Sequence, residues 1–325
     1  MNVFEQYNVS HPINSRATRR CKHCISRSLV AVMLLTLLAS ARLLAADEAP
    51  YQLDRSFPQL PEGLRLGAVS GVAIDRNDHV LVFDRGEPPI LVFDARGNFK
   101  GAFGRGLFTS PHGLRVDPEG NVWVTDNANH TVLKLDPTGK VLLTLGTKNE
   151  SGTDERHFNK PTDVAFARNG DFYVSDGYGN SRVVKFDKDG RFILAWGRKG
   201  SGDGEFNLPH AVRVDSKDQV YVADRENNRI QVFDSKGKFL RKIEGIAPFG
   251  LEIARDDTLY VADGRANVIV KMRADGTVLA RWGGTGRGPG QFDMAHGIAV
   301  DSAGAVYVCD INGRRIQRFV PAGRR

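Results

Sequence analysis

From about residue 50 onward, one pattern of apolar and polar positions recurs along the chain. Its clearest element is a run of apolar or aromatic β-formers that stops at an aspartate. The copies are Val80-Leu81-Val82-Phe83-Asp84, Val122-Trp123-Val124-Thr125-Asp126, Phe172-Tyr173-Val174-Ser175-Asp176, Val220-Tyr221-Val222-Ala223-Asp224, Leu259-Tyr260-Val261-Ala262-Asp263 and Val306-Tyr307-Val308-Cys309-Asp310. Before each lies another short strand and a polar turn, as in Leu114-Arg115-Val116-Asp117 followed by Pro118-Glu119-Gly120-Asn121. After each come a third strand and a second turn, as in Val132-Leu133-Lys134-Leu135 followed by Asp136-Pro137-Thr138-Gly139. A fourth strand follows, such as that at 192–197. Gly and Asp at the turns supply what tight hairpins need.

Four antiparallel strands recurring every 40 to 50 residues or so make a propeller blade. The terminal aspartates 84, 126, 176, 224, 263 and 310 are spaced 42, 50, 48, 39 and 47 residues apart. Six copies predict an all-β, six-bladed β-propeller over residues 47–325, with repeats near 69–104, 110–146, 160–197, 208–243, 247–283 and 294–319. The sixth copy runs out at Phe319-Val320, so the segment from Tyr51 to Leu66 is expected to supply its fourth strand. Closing the ring this way removes exposed sheet edges. The pattern resembles the NHL-repeat propellers.

Composition changes this picture at the N-terminus. The chain of 325 residues has a formal net charge of +7. Residues 1–46 hold Arg16, Arg19, Arg20, Lys22, Arg27 and Arg42 against Glu5, which accounts for five of the seven charges. The remaining 39 basic and 37 acidic residues nearly balance, so the propeller offers no electrostatic case for nucleic acid. The leader runs from a basic stretch ending at Arg27, through apolar 29–39, to the small residues of 39–41 and 44–46. That order predicts a secretory signal peptide and an exported, periplasmic or secreted protein. The competing reading is an N-terminal membrane anchor, against which the apolar run is short for a bilayer span of about 20 residues. Cys21 and Cys24 fall in the leader, and 47–325 keep only Cys309, so no disulfide forms within the propeller. A monomer with no membrane span in the mature chain is expected.

Counting back 14 residues from each terminal aspartate gives Ser70, His112, Thr162, His210, Phe249 and His296. A constant offset makes these positions structurally equivalent, at the start of each blade's innermost strand, which lines the central channel. Histidine occupies blades 2, 4 and 6, so pseudo-symmetry aims three imidazoles at one axis about 120° apart. Three His with an open fourth position make a catalytic zinc arrangement. The competing reading is a neutral polar ring around a water-filled channel. His79, His130 and His157 fall off this position, in turns and loops.

The residues following the aspartates are Arg85, Asn127, Gly177, Arg225, Gly264 and Ile311, at the channel mouth if strand ends cluster on one face. Tyr178 lies one position further on in blade 3. Two arginines and a tyrosine above a three-His metal suit an anionic substrate with an ionisable oxygen.

These residues match more than the repeat class. Pro111-His112-Gly113-Leu114, the run from Ser175 to Arg182 and the run from Ala223 to Asn227 are similar to the peptidyl-α-hydroxyglycine α-amidating lyase family, with likeness from about Val69 to Phe319. The resemblance implies zinc on His112, His210 and His296, a catalytic Tyr178 and active-site Arg85 and Arg225. It also implies a structural calcium on the backbone carbonyls of Val72 and Leu114. The carboxylate expected beside that ion, directly after the third histidine, is Gly297 here. Gly179 and Tyr221 stand where animal members carry propeller cysteines.

The reaction so implied splits an N-(α-hydroxy)glycine, a small molecule or peptide with a carboxylate, into an amide and glyoxylate, with zinc as Lewis acid on the hydroxyl, Tyr178 taking its proton and Arg85 or Arg225 holding the carboxylate. Two other classes stay open. One is a non-catalytic NHL propeller binding a protein or glycan on its top face. The other is a calcium-dependent lactonase, which needs axial carboxylates that the six equivalent positions lack.

Overall fold

The computed structural model describes residues 50–323; the leader, with its predicted signal peptide or anchor and Cys21 and Cys24, lies outside them. Among the described residues all regular structure is β, in six four-stranded antiparallel sheets. Blades 1 to 5 each use four consecutive strands, running over 69–103, 111–145, 163–196, 209–244 and 248–283. Blade 6 takes its first three strands from the C-terminus and its fourth from Tyr51–Asp54. That strand pairs with Arg315–Pro321 in the register Tyr51 to Pro321 and Leu53 to Phe319. The expected ring closure is therefore present, and the closing strand is the four-residue start of the segment named for it.

Burial follows the strand's place in the blade. The second strand is buried at every position in all six blades. These strands pack on both faces, so they read as unbroken apolar runs and not as alternations. The fourth strand of blades 3 and 4 alternates between partly buried and exposed positions. Each gap between neighbouring blades holds one apolar cluster; Val124 and Leu135 pack with Phe83 and Ile90 between blades 1 and 2, for example. The first strands of successive blades pack side by side, and those of blades 1 and 6 complete the circle.

The terminal aspartates turn out to be braces. Each is buried at the end of its second strand and accepts backbone N–H groups from the loop before its own blade's first strand. Asp126 accepts from Thr109 at 2.6 Å, Asp176 from Asn159 at 2.8 Å, Asp224 from Asn207 at 2.7 Å, Asp310 from Asp293 at 2.9 Å and Asp84 from Gly67 at 2.8 Å. In each of these blades the donor lies three residues before the axial position. The constant offset of 14 thus has a physical cause: a buried carboxylate paired with that loop holds the length of the hairpin fixed.

Candidate metal centre and active site

The axial residues point inward because the sheet lets go of them. In five blades the ladder between first and second strands is interrupted at this place: between Val69 and Gly71, Pro111 and Leu114, Pro209 and Ala211, Pro248 and Gly250, and Ala295 and Ile298. Bulges re-aim side chains next to functional sites. Here they free Ser70, His112, His210, Phe249 and His296 from the regular alternation. Glycine beside the bulge lets the blades close in: a Cβ at Gly113 would lie 2.5 Å from the carbonyl oxygen of Thr162, and one at Gly250 2.0 Å from that of His296.

All three histidines are buried, and their rings stand nearly perpendicular to one another with centroids 4.8, 5.1 and 4.8 Å apart. Each Nδ1 meets the backbone carbonyl of the equivalent axial residue in the next blade. His112 Nδ1 is 2.7 Å from Thr162 O, His210 Nδ1 2.5 Å from Phe249 O, and His296 Nδ1 2.7 Å from Ser70 O. A carbonyl only accepts, so Nδ1 carries the proton and Nε2 presents its lone pair to the axis.

The lone pairs converge without a shared proton. His112 Nε2 lies 3.2 Å from His210 Nε2, and neither can donate. The Tyr178 hydroxyl is 3.2 Å from each of these nitrogens and has one proton for two acceptors. Protonation does not relieve the cluster. Burial, with the nearby Arg85 and Arg225, pushes His112 down to about 3, and burial with repulsion from neighbouring histidines holds His210 and His296 well below the ordinary histidine value. A divalent cation would satisfy all three lone pairs, and the three ligand nitrogens lie within 4.8 Å of one another. Tetrahedral zinc with bonds of ~2.05 Å has ligand–ligand edges of about 3.3 Å, near the closest pair here. The residues present fit a nitrogen-bound metal ion.

The predicted mouth residues gather around this centre. Tyr178, a third exposed, reaches it from blade 3 because Gly177 and Gly179 have no Cβ; a Cβ there would lie 2.0 Å from Pro209 O and 2.1 Å from Asn159 Cγ. Arg225 lies across Tyr178 and Phe249, its guanidinium carbon 5.6 and 4.6 Å from the two ring centroids. Arg85 approaches from the opposite side, more exposed, with Nε donating to Pro111 O at 3.3 Å. His79, His130 and His157 are in turns away from the axis, engaged with Asp75, the Lys160 amide and Asp154.

One layer further down the channel lies a group the sequence reading missed. Asp163 Oδ2 accepts from Arg115 Nη2 at 2.9 Å and from Arg213 Nη1 at 2.7 Å, and Arg213 Nε donates to Glu252 at 3.3 Å. Burial pushes the Asp163 carboxyl up to about 7, against the pull of Arg115, and raises Glu252 as well. The carbonyls of Val72 and Leu114, named above for calcium, accept instead from Arg115 Nη1, at 3.3 and 2.8 Å. The same counting would have found the layer: 11 residues before the aspartates stand Arg115, Arg213 and Glu252. Between the two layers the channel narrows to a cavity of about 20 Å³, room for about one water.

With the geometry in place, comparison with known proteins adds the family. The NHL repeat matches residues 108–135, 158–186, 206–233 and 292–319, within blades 2, 3, 4 and 6. Peptidyl-glycine alpha-amidating monooxygenase A of Xenopus laevis is 35% identical over 311 residues, covering 83% of this chain and 33% of that protein. The probable peptidyl-alpha-hydroxyglycine alpha-amidating lyase of Caenorhabditis elegans is 35% identical over 219 residues, covering 59% of this chain and 63% of that one. Human NHL repeat-containing protein 3 is 32% identical over 304 residues, covering 83% and 84%. The chain thus spans about a third of the length of the monooxygenase relatives. A solved streptogramin B lyase shares the fold, with TM-score 0.62 at 18% identity over 83% of this chain and 98% of that one. The chain belongs to the NHL-repeat propeller family that includes the peptidyl-α-hydroxyglycine α-amidating lyases.

Proposed function

We propose that this protein is a zinc-dependent carbon–nitrogen lyase that cleaves an N-(α-hydroxy)glycine to an amide and glyoxylate. The observation that carries the reading is the set of three Nε2 lone pairs, each fixed by an Nδ1–H bond to a neighbouring blade, beneath the Tyr178 hydroxyl. Three imidazoles and an open side favour zinc among divalent ions, and such an ion would supply Lewis acidity toward a hydroxyl oxygen.

The chain's own residues account for the rest. Arg85 and Arg225 flank the centre with Nη groups that have no other hydrogen bond or ion pair among the described residues, which suits a carboxylate. Tyr178 is within reach of the same open side, and as the phenolate its oxygen takes the proton of the substrate hydroxyl. That O–H electron pair becomes the C=O of glyoxylate. The C–N pair leaves with nitrogen, which receives that proton from the Tyr178 hydroxyl and becomes the amide, so that Tyr178 ends as it began. Export through the leader is part of the same proposal.

The test is metal content together with glyoxylate release from an N-acyl-α-hydroxyglycine by the purified chain. One zinc per chain and stoichiometric glyoxylate are expected. Tyr178→Phe should keep the zinc and lose about 10²-fold or more in turnover. Zinc-free protein without glyoxylate would favour a binding propeller, a reading that the similarity to NHL repeat-containing protein 3 keeps in view.

A further inference from the structure

The two arginines at the mouth are held very differently. Arg85 is exposed and tethered by one bond from its Nε. Arg225 is largely buried and braced on three sides. Its Nε donates to Glu226 Oε1 at 2.8 Å, one flat face rests on Phe249 at 4.6 Å, and the Tyr178 ring lies 5.6 Å away. The brace is itself anchored. The other Glu226 oxygen pairs with Arg265, whose Nη1 donates to Asn228 Oδ1 at 2.7 Å. The backbone amides of Arg225 and Glu226 donate to Leu208 O and Asn207 O at 3.1 and 3.0 Å, which ties them to the loop leading to His210.

Phe249 joins both halves of the site. Its carbonyl accepts from His210 Nδ1, and its ring carries Arg225. Of the three axial residues that are not histidine, Ser70 and Thr162 turn their hydroxyls back onto carbonyls in the blade walls. Phe249 alone projects a large ring, 5.8 Å from His210 and 6.3 Å from His296. It does so over Gly264, where a Cβ would lie 2.4 Å from Phe249 Cγ. Glycine at the position that carries arginine in blades 1 and 4 is what gives the ring its place.

We infer that Phe249 and Glu226 are positioning residues that hold the Arg225 guanidinium with its Nη edge over the open side of the metal centre, to receive the substrate's carboxylate. The ring fixes the plane, and the charge-assisted bond from Nε fixes rotation within it. An arginine so held loses little rotamer freedom on binding, whereas Arg85 must be ordered by the ligand. This rests on the lyase reading above, because it assumes a carboxylate ligand.

The experiment uses the zinc-loaded full chain and N-acetylglycine, which has the carboxylate but no hydroxyl to react. Binding is read by calorimetry, alongside KM and kcat for the hydroxylated compound. Phe249→Leu and Glu226→Gln should each weaken N-acetylglycine and raise KM by about tenfold, with kcat, zinc content and Tm much less affected. Phe249→Tyr, which keeps a ring, should restore binding. If Arg225→Ala weakens binding but Phe249→Leu and Glu226→Gln do not, the positioning role is wrong and the lyase reading stands. If Arg225→Ala also leaves binding unchanged, both the positioning role and the carboxylate reading of this face fail.

Discussion

The channel holds two ionisable layers that look alike in composition and differ in what they leave undone. The upper one has His112, His210 and His296; the lower one has Arg115, Arg213, Asp163 and Glu252. Both are drawn from the same inner strands, and both are largely buried. In the lower layer guanidinium groups face carboxyls and backbone carbonyls, although Arg115 Nε and Arg213 Nη2 are buried without a hydrogen-bond partner. In the upper layer every spare proton is committed outward to a carbonyl, so lone pairs face lone pairs. A buried polar cluster that can pair donors with acceptors across strands holds the ring together. One that cannot is a place for something else to bind. The difference marks the upper layer, and not the lower one, as the candidate site without reference to any relative.

The largest effect expected from that contrast is in the upper layer. His210→Ala should lower bound zinc from one per chain to near zero and cut glyoxylate release by about 10³-fold or more. The fold should survive, because the six second strands and the inter-blade clusters are untouched. Metal analysis and circular dichroism on one sample check both halves. Retained zinc, or a collapsed sheet, would contradict the division.

The lower layer should answer the other way. Asp163→Asn leaves two buried guanidinium groups without their shared carboxylate. Breaking a buried charge set costs roughly 3 kcal/mol or more, which in a domain of this size lowers Tm by about 5 °C or more. Zinc stoichiometry should hold. A variant that lost zinc but not stability would mean that Asp163 serves the metal centre and not the ring.

Both layers lie at constant offsets in the sequence, but only the histidines announce themselves there. The histidines stood out because His is rare in the propeller and falls on alternate blades at one offset. Arg115 and Arg213 fall at a fixed offset too, yet arginine is common, and its burial cannot be seen until the strands are placed. Asp163 was harder still, because it occupies the position that is glycine or alanine in the other blades. The bulges that aim the axial side chains leave little trace beyond the neighbouring Gly71, Gly113, Gly250 and Gly297. Nor does a sequence give tautomers: that each Nδ1 is bonded to the next blade depends on blade spacing. The terminal aspartates were legible as markers, while their role as braces needed the distances.

A pH titration of the metal-free protein separates the layers more finely. The histidine values are depressed, to about 3 for His112, against an ordinary value of about 6.5. The unfolded chain therefore takes up these protons first as pH falls, and the histidine contribution is complete above about 6.5 and lost below it. Asp163 is raised to about 7 and Glu252 is raised too, against ordinary values of about 4. The folded chain holds those protons longer, so their contribution is complete below about 4 and declines as pH rises toward 7. The two slopes oppose each other between about pH 4 and 6.5, at roughly 1.4 kcal/mol per pH unit for each proton. Glu252→Gln removes one opposing slope, so its stability should fall more steeply on acidification than that of the parent. Parallel denaturation midpoints across that range would show that Glu252 does not titrate as the burial implies.

The smallest effect expected is a null one, with calcium. The resemblance implied an ion on the carbonyls of Val72 and Leu114, and both accept from Arg115. The missing carboxylate has no ready place either: a Cβ at Gly297 would lie 3.0 Å from Ser70 O and 3.1 Å from Cys309 Sγ and Gly71 Cα. The Arg115 guanidinium already places a cation against both carbonyls. Millimolar calcium, or its removal by a calcium-selective chelator, should therefore move Tm by less than about 1 °C. Zinc at a thousandfold excess over its Kd should add about 4 kcal/mol by mass action. Arg115→Met sharpens the test, because it frees the two carbonyls beside Asp163 without touching the histidines. Calcium that stabilises this variant and not the parent would identify the guanidinium as the occupant of an oxygen-lined site. Calcium that stabilises the parent as much as zinc does would mean that the lower layer, like the upper one, is unfinished without a metal.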